Sequence, residues 1–204
     1  MLEECLRGRK LRGHWLDAGC GSGVLSRWLA GQGCRVLGVD ASPEMVDVSA
    51  KLGGSHANAD RLDFRRVETI ARLPFGAEEF EGILCSSVLE YLPDPAACLA
   101  EFFRVLKPGG LLLVSVPNAS SVVRQLQMVC HRVGGFFGRT WVKYLAYSQH
   151  EYRGAEFAEL LSLAGFSAAK PLAFGGPLPR GLQRLQWSGP LLMFLVEKRV
   201  ARSS

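Results

Sequence analysis

Asp17, Gly19, Gly21 and Gly23 are spaced two residues apart between an apolar run ending at Ala18 and a helical run beginning at Val24. Glycines at that spacing let a chain turn sharply and bring its backbone against a ligand with no Cβ in the way. The helix that follows starts with unpaired N–H groups, which also face such a ligand. A dinucleotide pyrophosphate would call for G-x-G-x-x-G, but Val24 occupies the position of the third glycine. A carboxylate at the strand end, Asp17, also suits a ligand with positive charge better than a phosphate. A second carboxylate, Asp40, ends the next apolar run 17 residues beyond Gly23. From there an acid can accept both hydroxyls of a ribose. The chemistry these residues point to is the binding of a ribose-bearing molecule against the turn.

These residues need strands to end on and helices to follow. His14–Ala18 reads as a buried strand. Val24, Leu25, Trp28 and Leu29 recur at helical spacing, and Gly31-Gln32-Gly33 stops that helix. Arg35–Asp40 is a second strand. Ser42-Pro43-Glu44 opens a helix with a capping hydroxyl, a proline at the first helical position and an acid in the first turn. Leu62–Val67 and Phe80–Ser86 are further strands, and Asp94-Pro95 caps a helix with Ala97, Leu99, Phe102 and Phe103 on its buried stripe. Leu111-Leu-Leu-Val-Ser-Val116 is apolar at all but one position, as expected of a central strand buried on both faces. Residues 155–164 form an amphipathic helix closed by Gly165-Phe166. Strands follow at 167–172 and 191–197, with a Pro/Gly-rich loop at 175–181. A short helix is expected at 2–10 and a loose tail from Arg199.

Asp17-x-Gly19-x-Gly21-x-Gly23 resembles the first motif of the class I S-adenosylmethionine (SAM) methyltransferases. Five further stretches are similar to that family: Asp40-Ala-Ser-Pro-Glu-Met45, Leu73-Pro-Phe75, Phe80-Glu-Gly-Ile…Leu89-Glu-Tyr-Leu92, Leu106-Lys-Pro-Gly-Gly110, and the tract from His150 to Phe166. The resemblance implies a Rossmann-like α/β fold: a seven-stranded, mostly parallel sheet with an antiparallel last strand beside the fifth, and helices on both faces. It implies SAM as cofactor, held by Asp17, Gly19, Cys20, Gly21, Gly23, Asp40, Ala41, Ser42, Met45, Glu68, Thr69, Ser86 and Ser87. SAM carries an ammonium and a sulfonium, which fits the acidic strand ends. In the family an acid stands four residues before Leu-Pro-Phe and takes the adenine amino group. Here Thr69 holds that place and Glu68 precedes it, and either can accept from the amine. The family's Leu-Glu-His-Leu has Tyr91 in place of its histidine. The activity implied is methyl transfer to a small-molecule acceptor, most simply at oxygen. If the acceptor is protonated a base is needed, and His150 is the candidate, because neutral imidazole takes protons near neutral pH. Core or capping roles account for Glu90 and Tyr91.

At 204 residues the chain reads as one domain, 1–204, with an acceptor-pocket or lid insertion at 118–150. It has no apolar run of membrane-spanning length and no apolar leader in its first ten residues, so a cytoplasmic location is expected. Six cysteines without a C-x-x-C pair read as reduced thiols, and no metal site is expected. Residues 1–101 hold 11 Lys/Arg against 15 Asp/Glu, whereas residues 102–204 hold 13 against 4. This asymmetry, with aromatics interspersed in the basic tract, suits an anionic or lipophilic acceptor, or peripheral contact with an anionic membrane. No nucleic-acid partner is expected. Two other functions are compatible with parts of the pattern. One is a non-catalytic SAM-binding or partner-activating subunit. The other is an NAD-linked oxidoreductase, opposed by Val24 and Asp17.

Overall fold

A computed structural model describes residues 5, 6, 8–125, 149–168, 170–175 and 189–199. Strand β1 (His14–Ala18) runs through the turn at 19–23 into helix α1 (Val24–Gly31), and β2 (Arg35–Asp40) runs into α2 (Pro43–Gly54). Then come β3 (Leu62–Arg66), β4 (Phe80–Ser86), α3 (Pro95–Val105) and β5 (Leu106–Pro117). The last elements are α4 (Gly154–Leu163), β6 (Leu172–Phe174) and β7 (Leu191–Glu197).

The seven strands form one sheet in the order β3-β2-β1-β4-β5-β7-β6. β1 to β5 pair in parallel, and β7 lies antiparallel between β5 and β6. The chain builds outward from β1 to β3, then returns to place β4 on β1's other side. That reversal opens a crevice beyond the carboxyl ends of β1 and β4, where an open α/β sheet receives its ligand.

Alternation along the strands divides the core between two faces. Leu16, Leu37, Ile83, Leu112 and Phe194 pack against Leu99 and Phe102 of α3 and Phe157 and Leu161 of α4. Trp15, Val36, Leu84, Leu113 and Met193 pack on the opposite face with Leu29 and Ala30 of α1. Near the crevice, Phe64 of β3 sits in a socket of three glycines. A Cβ on Gly23, Gly38 or Gly53 would come within 2.9, 2.6 and 2.6 Å of its ring, respectively. Phe64 thereby packs the base of the turn against β2 and α2.

Helix ends follow the residues that predict them. The Ser42 hydroxyl accepts from Met45 N–H at 3.2 Å, the Asp94 carboxylate from Ala97 N–H at 3.0 Å, and Gly33 takes φ +96° after α1. Some features differ from the sequence expectation. β5 begins at Leu106 rather than Leu111, because Leu106 pairs with Phe80 across an irregularity in the ladder. Cys98 and Val105, not Ala97, complete the buried stripe of α3. β3 ends at Arg66 rather than Val67. The sixth strand is Leu172–Phe174, not 167–172, because only these residues find a partner on β7, while Phe166 makes a single bridge to Lys198.

Residues 2–4 and 7 of the expected helix at 2–10 lie outside the described residues, and Arg9 and Lys10 are not helical. Also outside are residues 126–148 of the expected insertion, most of the loop at 175–181, Cys130 and the tail from 200.

Candidate active site

The turn after β1 is held from both sides. The N–H groups of Gly19 and Cys20 donate to the carbonyl of Val39 at 2.8 and 2.9 Å, locking the turn to the end of β2. Asp40 completes the lock: its Oδ2 accepts from Gly21 N–H at 2.8 Å and its Oδ1 from Ser42 N–H at 2.9 Å. Gly19 has φ +78°, and a Cβ there would lie 2.4 Å from the Val88 side chain. Gly21 has φ +51° with nothing within 4 Å of where its Cβ would be. One glycine is needed for packing and the other for an open, left-handed backbone facing the crevice.

Asp17 lies under this turn rather than at its lip. It is 2% exposed, and its Oδ2 accepts from Ser26 Oγ of α1 at 2.5 Å. Burial pushes its carboxyl up to about 6; the Ser26 hydrogen bonds work against that rise and the neighbouring Asp40 adds to it. The buried Cys20 thiol is pushed up to about 12, first by burial and then by Asp17 and Asp40, so it is an inert neighbour of the site.

The remaining expected cofactor residues line the same carboxyl edge of the sheet. Ala41 and Met45 are exposed beside Asp40, Met45 to 37%, while the Ser42 hydroxyl is turned to its own helix and to Glu44. Val67 N–H donates to the Asp40 carbonyl at 3.0 Å, which brings the exposed Glu68 and Thr69 alongside; Thr69 Oγ1 accepts from Ala71 N–H. Across the crevice, Ser86 Oγ and Ser115 Oγ are 3.0 Å apart, and Ser87 N–H donates to both the carbonyl and hydroxyl of Ser115. Ser87 has φ +55°, a conformation that is costly for a residue with a side chain and tends to occur at functional sites.

His150 enters from the segment before α4. Its N–H and that of Gln149 both approach the carbonyl of Glu90, at 3.3 and 2.8 Å, and its ring stacks on Tyr152. Three residues that the motifs did not mark shape the site: Val88 fills the space under Gly19, Ser115 braces the end of β4, and Ser26 holds Asp17. Their roles come from contacts between elements distant in sequence. The alternation of β5 was the only signal for Ser115.

The residues at the turn have chemistry that suits SAM. Asp40 spends one hydrogen bond per carboxylate oxygen on the turn and is only half-buried, which leaves acceptor capacity for ribose hydroxyls. The open backbone at Gly21 lets a ligand lie against it. A parallel sheet with its switch point at a glycine turn and an acid at the end of β2 defines an adenosine-binding α/β domain.

Residues 16–114 match the methyltransferase domain family. The ubiquinone biosynthesis O-methyltransferase of Xylella fastidiosa (strain 9a5c) is 36% identical over 155 residues, covering 74% of this chain and 59% of that protein. Its namesake from Xanthomonas oryzae pv. oryzae (strain PXO99A) is 38% identical over 116 residues, 56% of this chain and 47% of that one. The chain thus spans roughly half the length of these relatives. Among solved structures, a SAM-dependent methyltransferase from Methanosarcina mazei matches with TM-score 0.68 and 20% identity over 92% of each chain. A possible histamine N-methyltransferase from Thermotoga maritima matches with TM-score 0.67 and 18% identity, covering 96% of this chain and 87% of that one. These two likenesses show the fold. Residues 16–114 thus carry a methyltransferase domain, and the chain is similar to the class I SAM-dependent methyltransferases, whose cofactor is SAM.

Two outcomes follow from the geometry of the two acids. Asp40→Ala is expected to weaken SAM binding about tenfold or more in calorimetry; an unchanged affinity would remove Asp40 from the site. Asp17 holds its proton more tightly folded than unfolded, so its contribution to stability is full below its ordinary value of 3.8 and is lost as pH rises through about 6. Wild type should therefore lose on the order of 2–3 kcal/mol relative to Asp17→Asn between about pH 4 and 7 in urea unfolding. Parallel curves for the two proteins would contradict it.

Proposed function

We propose that this protein transfers the methyl group of SAM to a hydroxyl oxygen of a small-molecule acceptor. The glycine turn tied to Asp40 carries the reading, because it presents open backbone and an acid at the crevice where a SAM domain needs them. Oxygen is taken as the nucleophile because the relatives described above are named O-methyltransferases of ubiquinone biosynthesis.

When bound, SAM supplies an electrophilic methyl on a positively charged sulfur. Asp40 accepts the ribose hydroxyls, Met45 and Ala41 border the adenine, and Glu68 or Thr69 accepts from its amino group. The turn, Gly19 to Gly23, backs the methionine portion, with Asp17 contributing negative potential from beneath. Ser86 and Ser87 face that portion from the end of β4. The chain's main work is alignment, holding the acceptor oxygen about 3 Å from the methyl in line with the bond to be broken. A hydroxyl must also lose its proton to a base at the acceptor end of the crevice, the role for which the sequence offers His150.

The segment at 118–150 shapes the acceptor pocket. Its basic and aromatic composition favours an anionic or lipophilic acceptor and contact with an anionic membrane. No helix among the described residues is long and apolar enough to cross a membrane, so any such contact is peripheral, in keeping with action in the cytoplasm.

Calorimetric titration should show binding of SAM and of its demethylated product but not of NAD; binding of NAD alone would sink the proposal. Incubation with methyl-labelled SAM and phenolic, sugar and lipid acceptors should yield a labelled ether. Binding with no turnover on any of them would favour a SAM-binding subunit instead. Sedimentation with anionic vesicles, reversed by salt, tests the membrane contact; no sedimentation at low salt would exclude it.

A further inference from the structure

The carboxyl end of β4 holds a carboxyl group with no evident structural use. Glu90 lies in the 3₁₀ turn Leu89–Tyr91 that follows β4, is 3% exposed, and its Oε2 has no hydrogen-bond partner among the described residues. The hydroxyl of Tyr152 is likewise buried without a partner. A core position would be better filled by an apolar side chain, since a buried polar group without a partner costs more than its replacement.

Two such oxygens on different elements mark a place where polar groups are expected to meet a ligand. Tyr152 is fixed there firmly. Its N–H donates to Pro117 O at 3.1 Å and its carbonyl accepts from Ala119 N–H at 2.9 Å, so it is clamped to the end of β5. The backbone of Glu90 is tied as well. Gln149 and His150 rest their N–H groups on the Glu90 carbonyl, and the Gln149 side chain reaches Tyr91 O at 3.4 Å. Gln149 is exposed and His150 half-buried.

We propose that Glu90 is the catalytic base of the acceptor half of the site and that Tyr152 orients the acceptor beside it. This rests on methyl transfer to a hydroxyl as the function. The acceptor's O–H donates to Glu90 Oε2, and its proton passes to that oxygen as the acceptor oxygen forms its bond to the methyl carbon. The carbon–sulfur bond breaks with its electron pair going to sulfur, leaving S-adenosylhomocysteine, the acceptor ether and a protonated Glu90 that returns its proton to water. The acceptor class is a phenol or other weakly acidic hydroxyl, because a carboxylate makes an effective base for such a group once water is excluded.

The surroundings favour a base that works near neutral pH. Glu90 is faced by Cys85 of β4, Cys98 of α3, Arg124 beyond β5, and Tyr152 and His150 before α4. Burial pushes its carboxyl up to about 7, while its own backbone N–H and then the Arg124 guanidinium, ion-paired to Glu151 at 2.8 Å, hold it back. Charge on Glu90 in turn raises Tyr152, which burial alone already moves upward, to about 12. Tyr152 therefore remains a hydrogen-bond donor across the working range.

The test compares wild type with Glu90→Gln, Tyr152→Phe and His150→Gln, using catechol as the acceptor probe. In wild type, kcat/KM should rise with pH through about 7 and then level, because the carboxylate is the working form. Glu90→Gln keeps the side chain's size, should bind SAM as wild type does, and should lose about a hundredfold in kcat together with that rising limb. Tyr152→Phe should raise KM for catechol while keeping the limb. If Glu90→Gln keeps both rate and limb, or if the limb disappears in His150→Gln instead, the assignment of Glu90 is overturned while methyl transfer stands. Catechol binding to the protein–S-adenosylhomocysteine complex, measured by calorimetry, provides a readout apart from turnover. It should weaken about tenfold in Glu90→Gln, and equal binding in both proteins, or none in wild type, overturns the proposal. Failure of wild type to bind SAM would overturn methyl transfer itself.

Discussion

The structure at the crevice depends on one carboxylate. Asp40 accepts one backbone N–H from the glycine turn after β1 and another from the start of α2, joining three segments through two short charge-assisted hydrogen bonds. Each bond satisfies a donor that would otherwise point into the crevice without a partner. The Val39 carbonyl adds two more donors from the turn, so the ends of β1 and β2 behave as one unit. Because Asp40 needs only part of its acceptor capacity for this, the same residue braces the site and remains open to a ribose.

Beneath that unit, the protein keeps two acids in places that oppose their ionisation. Asp17 is sheltered by the turn and given one partner, Ser26, whereas Glu90 is sheltered at the end of β4 and its Oε2 is given none. Burial raises both carboxyls, and the difference in partners separates their roles. A buried acid with a hydrogen-bond donor holds a helix in place. One with an oxygen left unpaired is available to exchange a proton with a ligand.

The crevice has a donor side and an acceptor side, built by different means. The donor side is made of contiguous stretches, a turn and two strand ends, each folding from its own sequence. The acceptor side is assembled at long range. Ser115 reaches Ser86 and Ser87 from β5, and Tyr152 is clamped to β5 by backbone bonds on both flanks. A local change in either Ser115 or Tyr152 would therefore be felt at the end of β4.

The sequence by itself determined the strand and helix order, the glycine turn, the caps at Ser42 and Asp94, and the positions of Asp40, Ser86 and Ser87. These follow from periodicities and turn chemistry that act within a few residues. It also marked Asp17 as an acid beside the turn, although its depth was not legible, because burial depends on where α1 settles over β1. Tertiary structure alone decided that Val88 fills the space below Gly19, that Phe64 occupies a socket of three glycines, and that the sixth strand lies at 172–174. It also decided that Glu90, which reads from sequence as a core or capping residue, is a sealed acid with an unpaired oxygen. Its surroundings come from β4, α3, the chain beyond β5 and the segment before α4, and no local pattern encodes how those four meet.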